Sequence, residues 1–502
     1  MLVELSQLAK HPRVVRACLW RPETLVRAVR CDSRRCGPQV GFLALKGLRE
    51  DGHAFIGQAV AAGAPAVFLA DPARFAALEA NPPEGLGGVL LVDDPRRALA
   101  ELAGDLAGHP SRELALLGVT GTNGKTTTTH LVAQMLEGRG QSCALIGTLG
   151  MRLGERTQGS ERTTPEAPEL QDFLRECVSA GARHAAMEVS SIGVALMRSH
   201  GLRFHAVAFT NLTQDHLDFH GDLEAYKAAK FRLFLEQPLG RAVVNLDDPA
   251  GAELAVRLGR ERPEVSLITV SCQGAADLRI REAATVAGGQ TGVLHHAGQS
   301  APFHLPLLGR FNLSNYLCAV GLLLGEEFTL EALAEAGRHC VGALGRFERV
   351  PISAPFSVVV DYAHSPDALE NVLRTARLLT RGRLVVVFGA GGDRDRDKRP
   401  LMGQVAQRLA DRVVLTSDNP RSEDPDAILA QIAAGMNGGG AAGEVLRISD
   451  RREAIVRALE TAEAGDVVLI AGKGDERYQE IKGVKRPFED RKIVLEWWSH
   501  RT

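Results

Sequence analysis

Short apolar runs alternate with amphipathic stretches along most of this chain. Near the N-terminus VGFLALKG, PAVFLAD and GVLLVDD are apolar runs of strand length, and the helical stretch FIGQAVAAGA lies between the first two. Apolar runs bounded by turn residues predict strands, and the interposed helix predicts a small α/β unit. That unit closes on the helical segment RRALAELAGDLAGHPS, with His109-Pro110-Ser111 as a linker. The pattern resumes with ELALLGVT, CALIGTL, HAAMEVS, HAVAFTNL and AVVNLDD, separated by helical segments, which predicts a mostly parallel sheet. Residues 265–308 differ, because the Gly-rich, β-prone pieces LITVSCQG and TGVLHHAG suggest hairpins. Past Gly345-Arg346-Phe347, the strands FSVVVDYA, RLVVVFGAGG, DRVVLTSDNP and DVVLIAGKG alternate with helices in a Rossmann-like order. No short internal repeat is present, and the Gly/Ala stretch near Gly438 reads as a loop.

The length of 502 residues fits about three domains. With 45% hydrophobic and 24% charged residues the chain resembles an ordinary soluble protein. A net charge of -2 provides no general attraction to nucleic acid or an anionic membrane, so anionic ligands must be held by local clusters. The first residues lack a signal-peptide core, and no apolar run reaches transmembrane length. Eight scattered cysteines without a C-x-x-C pair indicate neither zinc nor a disulfide framework and suit a reducing cytosol. His295-His296 reads as an exposed hairpin pair.

Candidate chemistry gathers where strands end. Gly121-Thr122-Asn123-Gly124-Lys125-Thr126-Thr127 follows a strand and opens a helix. Glycines there let backbone N–H groups approach phosphate, Lys125 supplies a charge, and the Thr126 hydroxyl can reach Mg²⁺. The strict eight-residue phosphate-loop pattern needs Gly where this chain has Val119, so a plain Gly-rich turn is the competing reading. A second cluster runs from Asn211 to His220, followed by Tyr226-Lys227-Ala228-Ala229-Lys230, and Glu188 ends HAAME. These suit a metal–phosphate site or, read blandly, helix caps. Asn312 and Asn315 share a helix face and could read a nucleobase or cap a helix; Asp361-Tyr362-Ala363-His364-Ser365-Pro366 ends a strand in a turn. Lastly, Gly391-Gly392-Asp393-Arg394, Asp418-Asn419-Pro420-Arg421 and Gly472-Lys473-Gly474-Asp475-Glu476 each follow a strand. Converging on one crevice, two guanidinium forks and a carboxylate would suit a zwitterion; singly, each reads as a charged surface turn.

Taken in order, these segments resemble the Mur ligase family, in its UDP-N-acetylmuramoyl-tripeptide synthetase branch, over nearly the whole chain. The carrying motifs are Asp32-Ser33-Arg34, Asp51-Gly52-His53, GTNGKTT, ERTTPE, MEVSS, NLTQDHLDFH, GRFNLSN, DYAHSPDALE, GGDR, DNPR and GKGDE. The resemblance implies an α/β chain of three domains: a UDP-substrate-binding domain over 1–109, a central P-loop ATPase-like domain with a mostly parallel sheet over 110–346, and a Rossmann-like amino-acid-binding domain over 347–502. It further implies that Ser33, Leu48, Arg49 and Glu50 contact the UDP part of the substrate, and that Thr163, Thr164, Ser190 and Arg198 contact its muramyl-dipeptide part. The 121–127 loop with Asn312, Arg346, Asp361 and His364 would hold ATP; Thr126 and Glu188 would hold one Mg²⁺. His216 and a carbamoylated Lys230 would form a second metal site, and Arg394, Asp418, Asn419, Pro420, Arg421, Gly472 and Glu476 the pocket for the incoming amino acid.

The implied activity is that of an ATP-dependent acid–amino-acid ligase of peptidoglycan synthesis. It would join meso-diaminopimelate to UDP-MurNAc-L-Ala-D-Glu through an acyl phosphate, in the cytoplasm and as a monomer, with no nucleic-acid or membrane partner. Diaminopimelate is the choice over L-lysine or L-ornithine because Arg421 ends the DNPR motif. Ile192, Leu196 and Asp475 depart from the family's usual residues. A folylpolyglutamate-type ligase shares only part of the motif set. An inactive nucleotide-binding scaffold would be expected to lose Lys125, Glu188, His216 or Lys230, all present here.

Overall fold

The structure, a computed structural model, describes all residues except 48, 49, 161, 287, 326, 437–442 and 502. Among the described residues three large sheets follow one another along the chain, beside two two-stranded ones. The first has five strands in the spatial order Val14–Leu19, Gly88–Val92, Ala66–Leu69, Val40–Leu43, Ala28–Arg30; all but the antiparallel edge strand Val14–Leu19 run parallel. The three apolar runs of the N-terminal region are its inner strands, buried on both faces as covered parallel strands must be.

The second sheet has eleven strands. Seven of them, from Cys143–Gly147 at one side to Leu278–Val286 at the other, are parallel, with Ala115–Thr120 between His184–Glu188 and Phe204–Phe209. Helices Lys125–Glu137 and Arg310–Leu323 cover one face through Leu131, Met135, Tyr316 and Leu317. Phe173, Phe231, Phe234 and Leu254 cover the other. The hairpin expectation for 265–308 needs one correction. Ser266–Ser271 continues the parallel sheet beside Leu239–Asn245, and antiparallel pairing joins only the strands between 278 and 305. Its run LITVS is as apolar as the parallel strands before it; the Gly-rich turns come later.

The third sheet has six strands, five of them parallel, in the order Glu348–Arg349, Ser357–Asp361, Val467–Ala471, Leu384–Phe388, Arg412–Leu415, Glu444–Arg447. Several helices begin at an Asp or Ser before a proline: Asp94-Pro95, Asp248-Pro249, Ser365-Pro366 and Asp424-Pro425. The side-chain oxygen caps orphan N–H groups while proline fits the first turn, which lacks a partner for its N–H anyway. These caps set helix starts at the carboxyl ends of strands, where crevices form. The Gly/Ala stretch near Gly438 lies outside the described residues. No helix among the described residues is long and apolar enough to cross a membrane.

Candidate active site

A cavity of about 260 Å³ lies where the second and third sheets face each other. Its walls join motifs far apart in sequence: Thr122 to Thr127, Glu188, Asp215 and His216, Lys230, Arg346, and Asp361 to His364. The loop leaving strand Ala115–Thr120 is folded tightly enough to require two glycines. Gly121 has φ +149° and Gly124 φ +89°; a Cβ on Gly121 would collide with the Thr210 hydroxyl, and one on Gly124 with the Asn315 amide oxygen. Helix Lys125–Glu137 starts there, so its free N–H groups and positive end face the cavity.

Lys125 Nζ donates to the carbonyls of Gly121 (2.9 Å) and Thr122 (2.8 Å). Lys230 Nζ donates to the same Gly121 carbonyl at 2.8 Å and lies 4.4 Å from the Tyr226 ring centroid. Burial, reinforced by the neighbouring Lys125 charge, holds the Lys230 amine well below the ordinary lysine range. The His216 side chain keeps 44% exposure, yet desolvation of its ring, helped by the Lys125 cation, pushes it down to about 4, which favours the neutral imidazole. Burial opposes ionisation of Asp215, but the cationic surroundings, with His364 foremost, hold its carboxyl at about 2.

Glu188 is buried at the end of its strand and accepts from the Thr126 hydroxyl (3.0 Å) and from the Thr148 amide (2.9 Å) and hydroxyl (3.2 Å). Thr163 and Ser190 line the cavity; Thr164, bonded to the Glu188 carbonyl and to Ser190, lies behind them. Arg198 donates to Glu166 (3.0 Å) and to the Thr164 carbonyl (3.3 Å), and so holds this wall from outside.

From the third sheet's side, Arg346 stacks 4.1 Å from the Tyr362 ring centroid and donates to Thr126 Oγ1 at 3.3 Å, while its Nη1 is buried without a partner. Asp361 accepts from the amides of Phe347 (2.6 Å) and Ala363 (2.7 Å), and burial raises its carboxyl to about 6. His364 donates its Nδ1–H to the Tyr362 carbonyl (2.9 Å), and burial lowers its pKa. Asn312 does not line the cavity: it donates to the Leu308 carbonyl and accepts from Asn315, which reaches the loop instead. Asn315, Asp215, Tyr362 and Asp367 also line the cavity; each lies in a segment that the sequence marks, but the resemblance assigns none of them a contact, and Asn123 donates to Asp367 at 3.2 Å across the two sheets.

Thr126 and Glu188 offer the hydroxyl and carboxylate oxygens that a Mg²⁺ ion beside phosphate requires, so these two residues fit. His216 and Lys230 present only nitrogens, and no group of three His, Cys, Asp or Glu suited to a metal occurs among the described residues. A second hard cation fits there only if the lysine carries an oxygen-bearing group.

The three last motifs do meet. Asn419 Nδ2 donates to Glu476 (2.8 Å), Arg421 Nη1 to the Gly392 carbonyl (2.7 Å), and a Cβ on Gly472 would lie 2.6 Å from Asp418 Oδ2. Arg394 is exposed beside Gly391, and Pro420 is buried in the loop. Glu476 is not an isolated carboxylate, since the wholly buried Lys473 reaches it at 2.7 Å. Arg421 braces its loop: besides Gly392 it lies 3.8 Å from Glu480 and has a positive φ of 52°. In the first sheet's region Ser33 is buried and donates to Gln58 at 2.9 Å, Glu50 is exposed, and Leu48 and Arg49 lie outside the described residues. Neither Ser33 nor Glu50 lines the cavity.

Comparison with known proteins gives the same three-part division of motifs. The models "Mur ligase family, catalytic domain", "Mur ligase middle domain" and "Mur ligase, glutamate ligase domain" match residues 25–106, 119–323 and 345–474. The UDP-N-acetylmuramoyl-L-alanyl-D-glutamate–2,6-diaminopimelate ligase of Thermosynechococcus vestitus is 45% identical over 469 residues, 93% of this chain and 92% of its own length. That of Chlorobaculum tepidum is 47% identical over 486 residues, 94% of this chain and 92% of its own. A solved structure of a ligase so named superposes with a TM-score of 0.70 at 35% identity, covering 100% of this chain and 99% of the other. A Mycobacterium tuberculosis folylpolyglutamate synthase shares the fold at 20% identity, with a TM-score of 0.62 over 74% of this chain and 91% of its own. With three family models in order and relatives above 40% identity along more than nine-tenths of its length, the chain belongs to the Mur ligase family.

Proposed function

We propose that this protein is the ATP-dependent ligase that joins meso-diaminopimelate to UDP-MurNAc-L-Ala-D-Glu in peptidoglycan synthesis. The observation that carries the reading is the convergence on one cavity of the 121–127 loop, Glu188, His216, Lys230, Arg346, Asp361 and His364, from two different sheets. The names of relatives matched along nearly the whole chain support the choice of substrates. In this reading the chain divides at 109/110 and 346/347 into substrate, ATP and amino-acid domains, and the enzyme works in the cytoplasm as a monomer.

The D-glutamyl carboxylate attacks the γ-phosphorus of ATP, ADP leaves, and an acyl phosphate results. The amine of diaminopimelate then adds to the acyl carbon, and phosphate leaves from the tetrahedral intermediate with the amide formed. The chain positions two anions against each other and offsets their charge, the main demand of phosphoryl transfer. Lys125 turns from its loop carbonyls toward the β- and γ-phosphates, and the unpartnered Arg346 Nη1 is available to the same oxygens. Thr126 and Glu188 would hold a Mg²⁺ ion, which supplies charge neutralisation when bound. The Lys230 amine, whose neutral form is favoured by its lowered pKa, adds to carbon dioxide, forming an N–C bond and releasing a proton, and becomes an oxygen donor beside His216. Arg394 and Arg421 address the carboxylates of the amino acid, while Glu476, with Asn419, faces its distal ammonium.

The test is phosphate release with the muramyl dipeptide substrate and a panel of amino acids. Release that depends on both the muramyl substrate and meso-diaminopimelate is expected. Preference for L-lysine or L-ornithine overturns the specificity, and no amino-acid-dependent release overturns the ligase reading itself.

A further inference from the structure

Among the largest wholly buried side chains of the described residues is an arginine that no motif contains. Arg451 opens helix Arg451–Glu460, and its side chain, like that of Asp490 at the start of helix Asp490–Ser499, has 0% exposure. The two form a bidentate pair, Nε to Oδ1 at 2.8 Å and Nη2 to Oδ2 at 2.7 Å. The guanidinium's outer edge is spent on two backbone carbonyls: Nη1 donates to Ser417 at 3.3 Å and Nη2 to Ala471 at 3.0 Å. Those carbonyls immediately precede Asp418 and Gly472. One planar cation therefore spans the ends of two strand segments that are not neighbours, since Leu384–Phe388 lies between their strands in the sheet.

The tolerances at that point are tight. Asp418 Oδ2 is buried without a hydrogen-bond partner, and the space above Gly472 is too small for a Cβ. A buried carboxylate with an open acceptor is an address for a donor, provided its position is fixed. Asp418 is kept ionised against its burial by Lys473 and then Arg451. Lys473, Asn419 and Glu476 fix the pocket's inner side; from beneath, the Arg451–Asp490 pair fixes the spacing of its two halves.

We propose that Arg451, oriented by Asp490, is the positioning residue of the amino-acid pocket, setting the separation of Asp418 and Gly472 without touching the ligand. This rests on the proposed assignment of that pocket to the incoming amino acid. Burial of a paired charge is weak evidence for stability, because well-packed apolar replacements are often neutral. Two carbonyls read by one rigid fork are instead a geometric device.

The test uses the full-length enzyme carrying Arg451→Met with Asp490→Leu, which removes both charges together, and separately Arg451→Lys, which retains the charge but not the fork. KM is measured for the amino acid, for ATP and for the muramyl substrate, alongside thermal unfolding. For the double variant we expect the amino-acid KM to rise at least ~10-fold, with the other two KM values within about twofold of wild type. Arg451→Lys should fall between, as a partial rescue. Three KM values that stay unchanged, or that rise together with a fall in thermal stability, overturn the proposal; should the double variant fail to fold, the same split in Arg451→Lys decides. The amino acid used is whichever the wild type prefers in the panel. A wild-type preference for L-lysine therefore sinks the substrate reading while leaving the KM split to judge Arg451.

Discussion

Two crevices at strand ends, only a few residues apart, treat charge in opposite ways. Around the phosphate loop, Lys125 and Lys230 donate to backbone carbonyls and Arg346 to a hydroxyl, and among the described residues none of the three pairs with a carboxylate. In the crevice of the third sheet three cations are already paired, Lys473 with Glu476 at 2.7 Å, Arg399 with Glu423 at 2.9 Å and Arg451 with Asp490 at 2.7 Å, while Asp418 Oδ2 is left open. A site for a polyanion must leave its cations unpaired, because an internal carboxylate would compete with phosphate. A zwitterion carries little net charge, so its site depends on where each group stands, and matched internal pairs hold those positions. In the proposed reading the first crevice would work by charge and the second by geometry, which makes the two separable by mutation.

The largest effect should come from the first crevice. Lys125→Ala removes a cation at the transferring phosphoryl group, and a loss of kcat of at least ~10²–10³-fold is expected with thermal unfolding little changed. Near-normal turnover by a folded Lys125→Ala protein would refute the charge argument. Lys230→Ala should be nearly as damaging for a different reason, since it would delete the proposed carbamate. Partial rescue by a short carboxylic acid, and a carbon-dioxide mass adduct on the wild-type lysine lost on acidification, distinguish this from the loss of a cation. An unmodified Lys230 in fully active enzyme would defeat it.

A smaller, selective effect belongs to the second crevice. Arg421→Ala should reduce discrimination between meso-diaminopimelate and L-lysine by roughly 10- to 100-fold in kcat/KM, and leave the KM for ATP near wild type. Because Arg421 also braces Gly392 at 2.7 Å, a general fall in kcat for both amino acids would mean that the brace is its whole role.

Sequence and structure agree best where a residue's role is local. The strand–turn–helix of the 121–127 loop was legible because strand, glycines, lysine and helix are adjacent, and the strand ends were legible because apolar runs stop there. Arg451 was not legible. It and Arg452 are consecutive arginines at a helix start, yet the side chain of the first is 0% exposed and that of the second 57%. Only the distant Asp490 and the carbonyls of Ser417 and Ala471 separate them, and no pattern within the helix records those partners. Lys473 was overlooked similarly, inside a motif valued for its glycines and its glutamate. Asn312 and Asn315 show the limit of face-level reasoning: the two share a helix face, but only Asn315 lines the cavity, and its amide donates to Asn312 behind it.

The comparison is sharpest for two aspartates of the same sheet. Asp361 ends strand Ser357–Asp361, Asp418 follows strand Arg412–Leu415, and both are buried. Burial raises the Asp361 carboxyl to about 6, with Arg346 as the cation opposing it; Asp418 stays below the usual range because Lys473 and Arg451 outweigh its burial. For Asp361 the folded pKa lies above the unfolded value. Its contribution to stability is therefore fully present below pH 3.8 and is lost as pH rises through about 6. A shift of about two units corresponds to on the order of 3 kcal/mol at neutral pH. For Asp418 the folded pKa is depressed, so its contribution is present above the unfolded value and is lost only as pH falls below it. Asp361→Asn should thus gain stability relative to wild type on going from about pH 4.5 to about pH 7.5, while Asp418→Asn should be destabilised with little further change over that interval. Thermal unfolding of both variants and wild type at the two pH values measures this. Parallel pH trends for the two variants would show that the crevices do not differ in how they compensate buried charge.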